Sequence, residues 1–111
     1  MEELVKGDIA VLPFPFSDLS STKKRPALVL AALTGDDIIC CQITSKARLD
    51  EYAISLEDSN LVMGSLHQSS MIRPNKIFTA DRSSILHKVG VLEDAKMKET
   101  VDKIVKIFTG G

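Results

Sequence analysis

The sequence predicts a mainly β protein, a small and strongly bent antiparallel barrel closed by one C-terminal α-helix. Three observations carry this reading. Short apolar runs of strand length follow one another as far as Leu92. The link at 34–37 has the composition of a tight hairpin. At Glu93 the apolar period changes to the three-and-four spacing of a helix.

In chain order, the predicted strands are 9–12, 27–33, 38–44, 53–56, 71–72, 76–80 and 88–92, each rich in Val, Ile or Leu. The runs at 27–33 and 38–44 are almost continuously apolar. They are expected to form a central hairpin covered on both faces, with Gly35 free to take a positive φ in its turn. Pro13-Phe14-Pro15-Phe16 is expected outside any central strand, because each proline removes a ladder donor. The stretch 14–24 is accordingly read as a long loop, a place where functional segments concentrate. In the final segment Met97, Val101, Ile104, Val105 and Phe108 share one helical face. Asp94–Lys98, Glu99–Lys103 and Asp102–Lys106 are spaced as acid-before-base pairs, Glu93 and Asp94 suit the helix N-terminus, and Gly110 supplies the stop.

Composition narrows the function classes. Of 111 residues, 44% are hydrophobic and 26% charged, which is globular and argues against disorder. A formal net charge of -1 excludes a uniformly basic chain that holds duplex nucleic acid by bulk charge. No apolar run approaches the ~20 residues of a membrane span. The acidic Met1-Glu2-Glu3 is unlike the basic start of a secretory signal. One soluble, cytoplasmic domain over residues 1–111, without membrane association, is the expectation. The two cysteines, Cys40 and Cys41, are adjacent, so on a strand they point to opposite faces and imply no disulfide. There is no phosphate-cradling glycine loop, GxSxG, HExxH or Cys/His ligand spacing, so metal and Ser-His-Asp hydrolases are disfavoured and no cofactor or metal is expected. His67 and His87 stand alone, and the acidic pairs Asp36-Asp37 and Glu57-Asp58 suit turns.

The charge is unevenly distributed. Residues 1–22 carry -3, 23–48 carry +3, 49–63 carry -4, 64–92 carry +3 and 93–111 are neutral. The positive segments hold Lys23, Lys24, Arg25, Lys46 and Arg48, then Arg73, Lys76, Arg82 and Lys88. Brought together in space they would form a cationic surface suited to single-stranded nucleic acid; dispersed, they are ordinary solvated charges. Arg25 precedes Pro26, which restricts it to extended backbone and so aims its side chain. Thr44-Ser45 ends a buried strand, where hydroxyls are placed to face a ligand. By themselves both features also fit an ion-paired surface arginine and a β-favouring threonine.

Five segments have the order and spacing of one family: Gly7-Asp8-Ile9-Ala10-Val11, the Pro-Phe loop, Lys24-Arg25-Pro26-Ala27-Leu28-Val29-Leu30, Gln42-Ile43-Thr44-Ser45, and the run from Ile72-Arg73-Pro74-Asn75-Lys76 to Asp81. Over nearly its whole length the chain resembles the MazF/PemK toxins of type II toxin–antitoxin systems. The resemblance implies an SH3-like barrel with a C-terminal helix of the MazF/Kid/CcdB kind and a homodimer. It also implies a cognate antitoxin with an acidic tail, and nucleic-acid binding of RNA foremost and DNA besides. The implied activity is metal-independent, sequence-selective endoribonuclease cleavage of single-stranded RNA, leaving 2′,3′-cyclic phosphate and 5′-hydroxyl ends and inhibiting translation and growth. It implies Arg25 as transition-state stabiliser and Thr44 as a hydrogen-bonding partner of the scissile phosphate or 2′-hydroxyl. Lys24, Ser45, Lys46, Arg73, Asn75, Lys76 and Phe16 are the implied RNA contacts, with Phe14 and Tyr52 as further stacking candidates. The chain departs from the family at two points. Asn75 stands where one branch has an acid–base aspartate, and no histidine occurs in the 14–24 loop. The general base is thus unassigned. A gyrase-directed poison and a non-catalytic SH3-like binding module are the other classes that such a barrel accommodates.

Overall fold

The computed structural model describes residues 3–14, 23–45 and 50–110. Within them run β1 (Asp8–Phe14), β2 (Lys23–Ala32), β3 (Asp37–Thr44), β4 (Ile54–Leu56), β5 (Leu61–Gly64), β6 (Ser70–Asp81), β7 (His87–Leu92) and α1 (Asp94–Thr109). The strands make one 7-stranded sheet in the order β4-β6-β3-β2-β1-β7-β5, every pairing antiparallel. Because β4 and β5 remain as edges, the fold is a mainly β half-barrel with a C-terminal helix. Register shifts at Ile9/Ala10, Val29/Ala31 and Cys41/Gln42 insert bulges, which sharpen twist and bend.

The expected central hairpin is present. Gly35 turns with φ 89, and the Leu33 N–H closes the link on the Asp37 carbonyl at 3.1 Å. Alternation then builds a core on each face. Ala10, Leu12, Phe14, Ala27, Val29, Ile38 and Cys40 pack on one, closed from outside the strands by Leu4 and Ile85. Ile9, Leu28, Cys41, Ile43, Ile54, Leu56, Ile72 and Leu92 pack on the other, under Met97 of α1. Cys40 and Cys41 therefore enter different cores, and burial pushes both thiols up to about 12.

The prolines correct the expected boundaries. β1 runs through Pro13 and Phe14, opposite Lys24 and Lys23. It can do so because its pairing with β7 ends at Val11, leaving no partner on that side for the missing donor. Pro26 likewise lies before the β2–β3 ladder begins at Ala27↔Gln42. The predicted strands 71–72 and 76–80 are one strand, β6, interrupted between Arg73 and Ile77 by the unpaired bulge Pro74-Asn75-Lys76. Both ends of the expected 14–24 loop are strand, and residues 15–22, with Phe16, lie outside the described residues.

β5 has no signal in the sequence, since Leu61-Val62-Met63-Gly64 has neither length nor alternation. It pairs with β7, with Gly64 opposite Gly90, and Gly64 takes φ 86. A Cβ at Gly64 would overlap the Val89 carbonyl. Gly64→Ala is expected to cost about 1–3 kcal/mol, the ordinary cost of forcing a side chain into left-handed backbone. The loss is capped because an edge strand can peel away, and urea unfolding beside hydrogen exchange in β7 would measure both effects.

Helix α1 starts at Glu93, whose carboxylate accepts from the Asn60 amide at 2.9 Å, and stops at left-handed Gly110. Met97 and Thr100 are buried, the Thr100 hydroxyl being satisfied by the Lys96 carbonyl at 2.9 Å. The expected apolar stripe runs past the sheet, leaving Val105 and Phe108 exposed. Among the described residues the helical ion pairs are Lys98–Asp102 and Lys96–Glu99 rather than the three expected acid-before-base pairs. Of the acidic turns, Glu57 forms a capping box with Asn60. The Ser65 hydroxyl and the Leu66 N–H hold the Asp58 carboxyl below its usual value. No helix among the described residues is long and apolar enough to cross a membrane.

Candidate active site and RNA interface

Side chains two apart on a strand share a face, so the first core defines what continues beyond it. Along β2, Arg25 follows Ala27 and Val29; along β3, Gln42 and Thr44 follow Ile38 and Cys40. The register agrees, because Leu12 faces Arg25 and Gln42 faces Arg73. Ala27↔Gln42 is the last pair of the β2–β3 ladder, and Arg25 and Thr44 each follow it two residues on along their own strand, on the same face. The apolar face of the half-barrel thus ends in four polar side chains from three adjacent strands: Arg25, Gln42, Thr44 and Arg73.

Their surroundings differ. Arg25 is half-buried, and none of its fork of donors is taken up by a described residue. Thr44 is buried. Gln42 is buried to 9% exposure, and its amide makes no hydrogen bond to the described residues. Arg73 is largely enclosed and donates from Nε to Asp50 Oδ2 at 3.1 Å. Asn75 and Lys76 are exposed on the β6 bulge beside Arg73. Lys24 and Ser45 are exposed at the same end of the sheet but alternate onto the opposite face. Lys46 and Arg48 lie outside the described residues, as Phe16 does.

The cationic surface is smaller than the two positive segments suggest. Arg82 is spent on the β2–β3 hairpin, donating to the carbonyls of Gly35 at 3.1 Å and Leu33 at 3.2 Å. Lys88 pairs with buried Asp8 at 3.3 Å. Phe14 is not available for base stacking, being buried edge-on against Phe78 with ring centroids 5.0 Å apart. Tyr52 is exposed. His67 contacts the Ser65 hydroxyl through Nδ1 at 3.2 Å. Sequence reasoning missed Gln42 and Asp50 as neighbours of the site. Gln42 stands inside the motif Gln42-Ile43-Thr44-Ser45, whereas Asp50 carries no local signal, because its partner is 23 residues away.

A face of this kind offers guanidinium forks and a hydroxyl to an anion. Among the described residues no three His, Cys, Asp or Glu side chains gather where they would hold a metal ion. The sequence family described as PemK-like, MazF-like toxin of type II toxin-antitoxin system matches residues 5–108. The chain belongs to this family. As a PemK/MazF-like toxin it is the toxin component of a type II toxin–antitoxin system, and its fold is that of the ribonuclease toxins. The MazE–MazF complex of Deinococcus radiodurans is similar at TM-score 0.75 and 20% identity, with 96% of each chain covered. A mycobacterial endoribonuclease in complex with its cognate antitoxin is similar at TM-score 0.75 and 11% identity, again over 96% of each chain. The Mycobacterium tuberculosis toxin MazF-mt6 gives TM-score 0.72 and 19% identity over 92% of this chain and 96% of its own. At such identities these structures establish the fold of the toxin. No curated protein matches the chain by sequence.

Proposed function

We propose that this PemK/MazF-like toxin, one domain over residues 1–111, cleaves single-stranded messenger RNA at selected sequences without a metal or cofactor and so halts translation and growth. The observation that carries the reading is the alignment of Arg25, Thr44 and Arg73 on one sheet face. The RNA's own 2′-hydroxyl attacks the adjacent phosphorus. A bond forms from O2′ to phosphorus and the bond from phosphorus to O5′ breaks. The 2′-hydroxyl loses a proton and the departing 5′-oxygen gains one, leaving a 2′,3′-cyclic phosphate and a 5′-hydroxyl. With the nucleophile on the substrate, the protein has to orient it, move protons and stabilise a dianionic phosphorane.

Arg25 takes the stabilising role, since a guanidinium fork matches two phosphate oxygens. That no described residue takes up its donors supports the assignment. Thr44 bonds the scissile phosphate or the 2′-hydroxyl. Arg73, Asn75 and Lys76 hold neighbouring phosphates, Lys46 and Phe16 are further RNA contacts, and Lys24 and Ser45 join them where the RNA passes round the end of the sheet to its other face. The protein works in the cytoplasm as a homodimer and is neutralised by an antitoxin whose acidic tail competes with RNA for these cations.

The test is incubation of the purified protein with a long single-stranded RNA in excess EDTA, followed by mapping of fragment ends. Discrete cuts bearing cyclic phosphate are expected. Intact RNA from folded protein overturns the proposal, and inhibition of gyrase supercoiling in that case identifies the gyrase-directed class.

A further inference from the structure

Asp50 is the one carboxylate that the described structure places against a site arginine. Its Oδ1 accepts the Tyr52 N–H at 3.0 Å, and its carbonyl accepts the Ala53 N–H at 3.1 Å. These two bonds fix the turn that enters β4. The remaining oxygen, Oδ2, receives Nε of Arg73. Both side chains are nearly enclosed, at 12% exposure for Arg73 and 8% for Asp50.

The attachment is one-sided. Nε is the inner donor of a guanidinium, and the two terminal Nη groups of Arg73 have no partner among the described residues. No fully buried side-chain nitrogen there lacks a hydrogen-bond partner, so the Nη groups are not completely enclosed. A carboxylate seeking maximum contact with arginine takes a bidentate grip. This one instead holds the guanidinium by Nε alone and leaves both Nη groups without a partner among the described residues, on a side chain that shares its sheet face with Arg25 and Thr44.

We infer that Asp50 is a positioning residue, which locks Arg73 through Nε so that its two Nη groups present a preformed fork to an RNA phosphate beside the scissile one. The inference rests on the nuclease reading above. It gives this chain a carboxylate role at Asp50, where Asn75 has no proton to exchange. A fork held in place loses less side-chain entropy on binding than a free arginine, and small misplacements of a positioning group cost much of a rate.

Asp50→Asn is the informative variant. It keeps Oδ1 as acceptor for the Tyr52 N–H and replaces the oxygen that grips Arg73, so the turn survives while the grip is lost. Single-turnover cleavage at saturating protein is expected to fall roughly 10- to 100-fold. Asp50→Glu should recover part of that loss. In an Arg73→Ala background, Asp50→Asn should change nothing further, whereas a merely structural role would slow the double variant again. Binding of a 2′-O-methyl single-stranded oligonucleotide, which resists cleavage, supplies a second readout. Asp50→Asn should weaken binding even though it removes a negative charge. Tighter binding would overturn the inference, because Asp50 would then be competing with RNA for Arg73. Unchanged single-turnover cleavage would overturn it too. If the wild type binds the oligonucleotide but cuts no RNA, the nuclease reading fails and the binding comparison still decides the role of Asp50. If it neither cuts nor binds, both are overturned.

Discussion

Arg25→Ala is expected to abolish RNA cleavage and leave the fold standing. Removing one preorganised donor from the stabilisation of a developing oxyanion costs about 10²–10³ in rate. Arg25 offers several donors at once, so its loss should sit at or above the upper end of that range. The fold should survive because the side chain is half-buried and its removal strands no partner among the described residues. Arg25→Lys keeps the charge but loses the fork, and should recover only a minor part of the rate. End-labelled RNA in EDTA measures the rate, and thermal unfolding with circular dichroism checks the fold. Cleavage by Arg25→Ala at the wild-type rate would remove Arg25 from the site.

Lys88→Met should produce the largest loss of stability, about 3–5 kcal/mol. The effect comes from its partner. Asp8 is buried to 1% exposure, with one carboxylate oxygen accepting the Val5 N–H at 2.9 Å and the other facing Lys88 Nζ at 3.3 Å. Methionine preserves the apolar stem but leaves that carboxylate without its cation in a dry place. Asp8→Asn should cost less. The amide can still accept the Val5 N–H, and Lys88, at 24% side-chain exposure, can turn its ammonium toward water. Urea unfolding of the two single variants and the double variant measures the coupling. Additive losses would show that the pair contributes nothing beyond its separate members.

These two residues also mark how far local sequence reasoning reaches. Arg25 was legible because its signal is local: a proline after it, a buried strand beyond it and a family motif around it. By charge count alone, Lys88 and Arg82 belong with the cations of the two positive segments. Both are consumed by partners far away in sequence, Asp8 for one and the Gly35 and Leu33 carbonyls for the other. Charge counting along a chain cannot separate a spent cation from a free one, because pairing depends on which strands become neighbours. β5 escaped for a related reason. Four residues without alternation carry no period, and what makes Leu61–Gly64 a strand is the waiting edge of β7. The rule against proline in a strand holds where both ladders continue, and at Pro13 one of them has already ended.

What the sequence determined by itself is whatever depends on near neighbours. That covers the central hairpin and its turn, the opposite burial of Cys40 and Cys41, the helix from its start to Gly110, and the ordered motifs that place the chain among the PemK/MazF-like toxins. Only the tertiary structure decided which face each polar residue joins and which charges remain available. Strand register sets both, and a shift of one residue would turn Arg25 away from Thr44 and Arg73. Register here is fixed by three bulges and by two cores that must both be filled, so it is a property of the whole sheet and of no single strand.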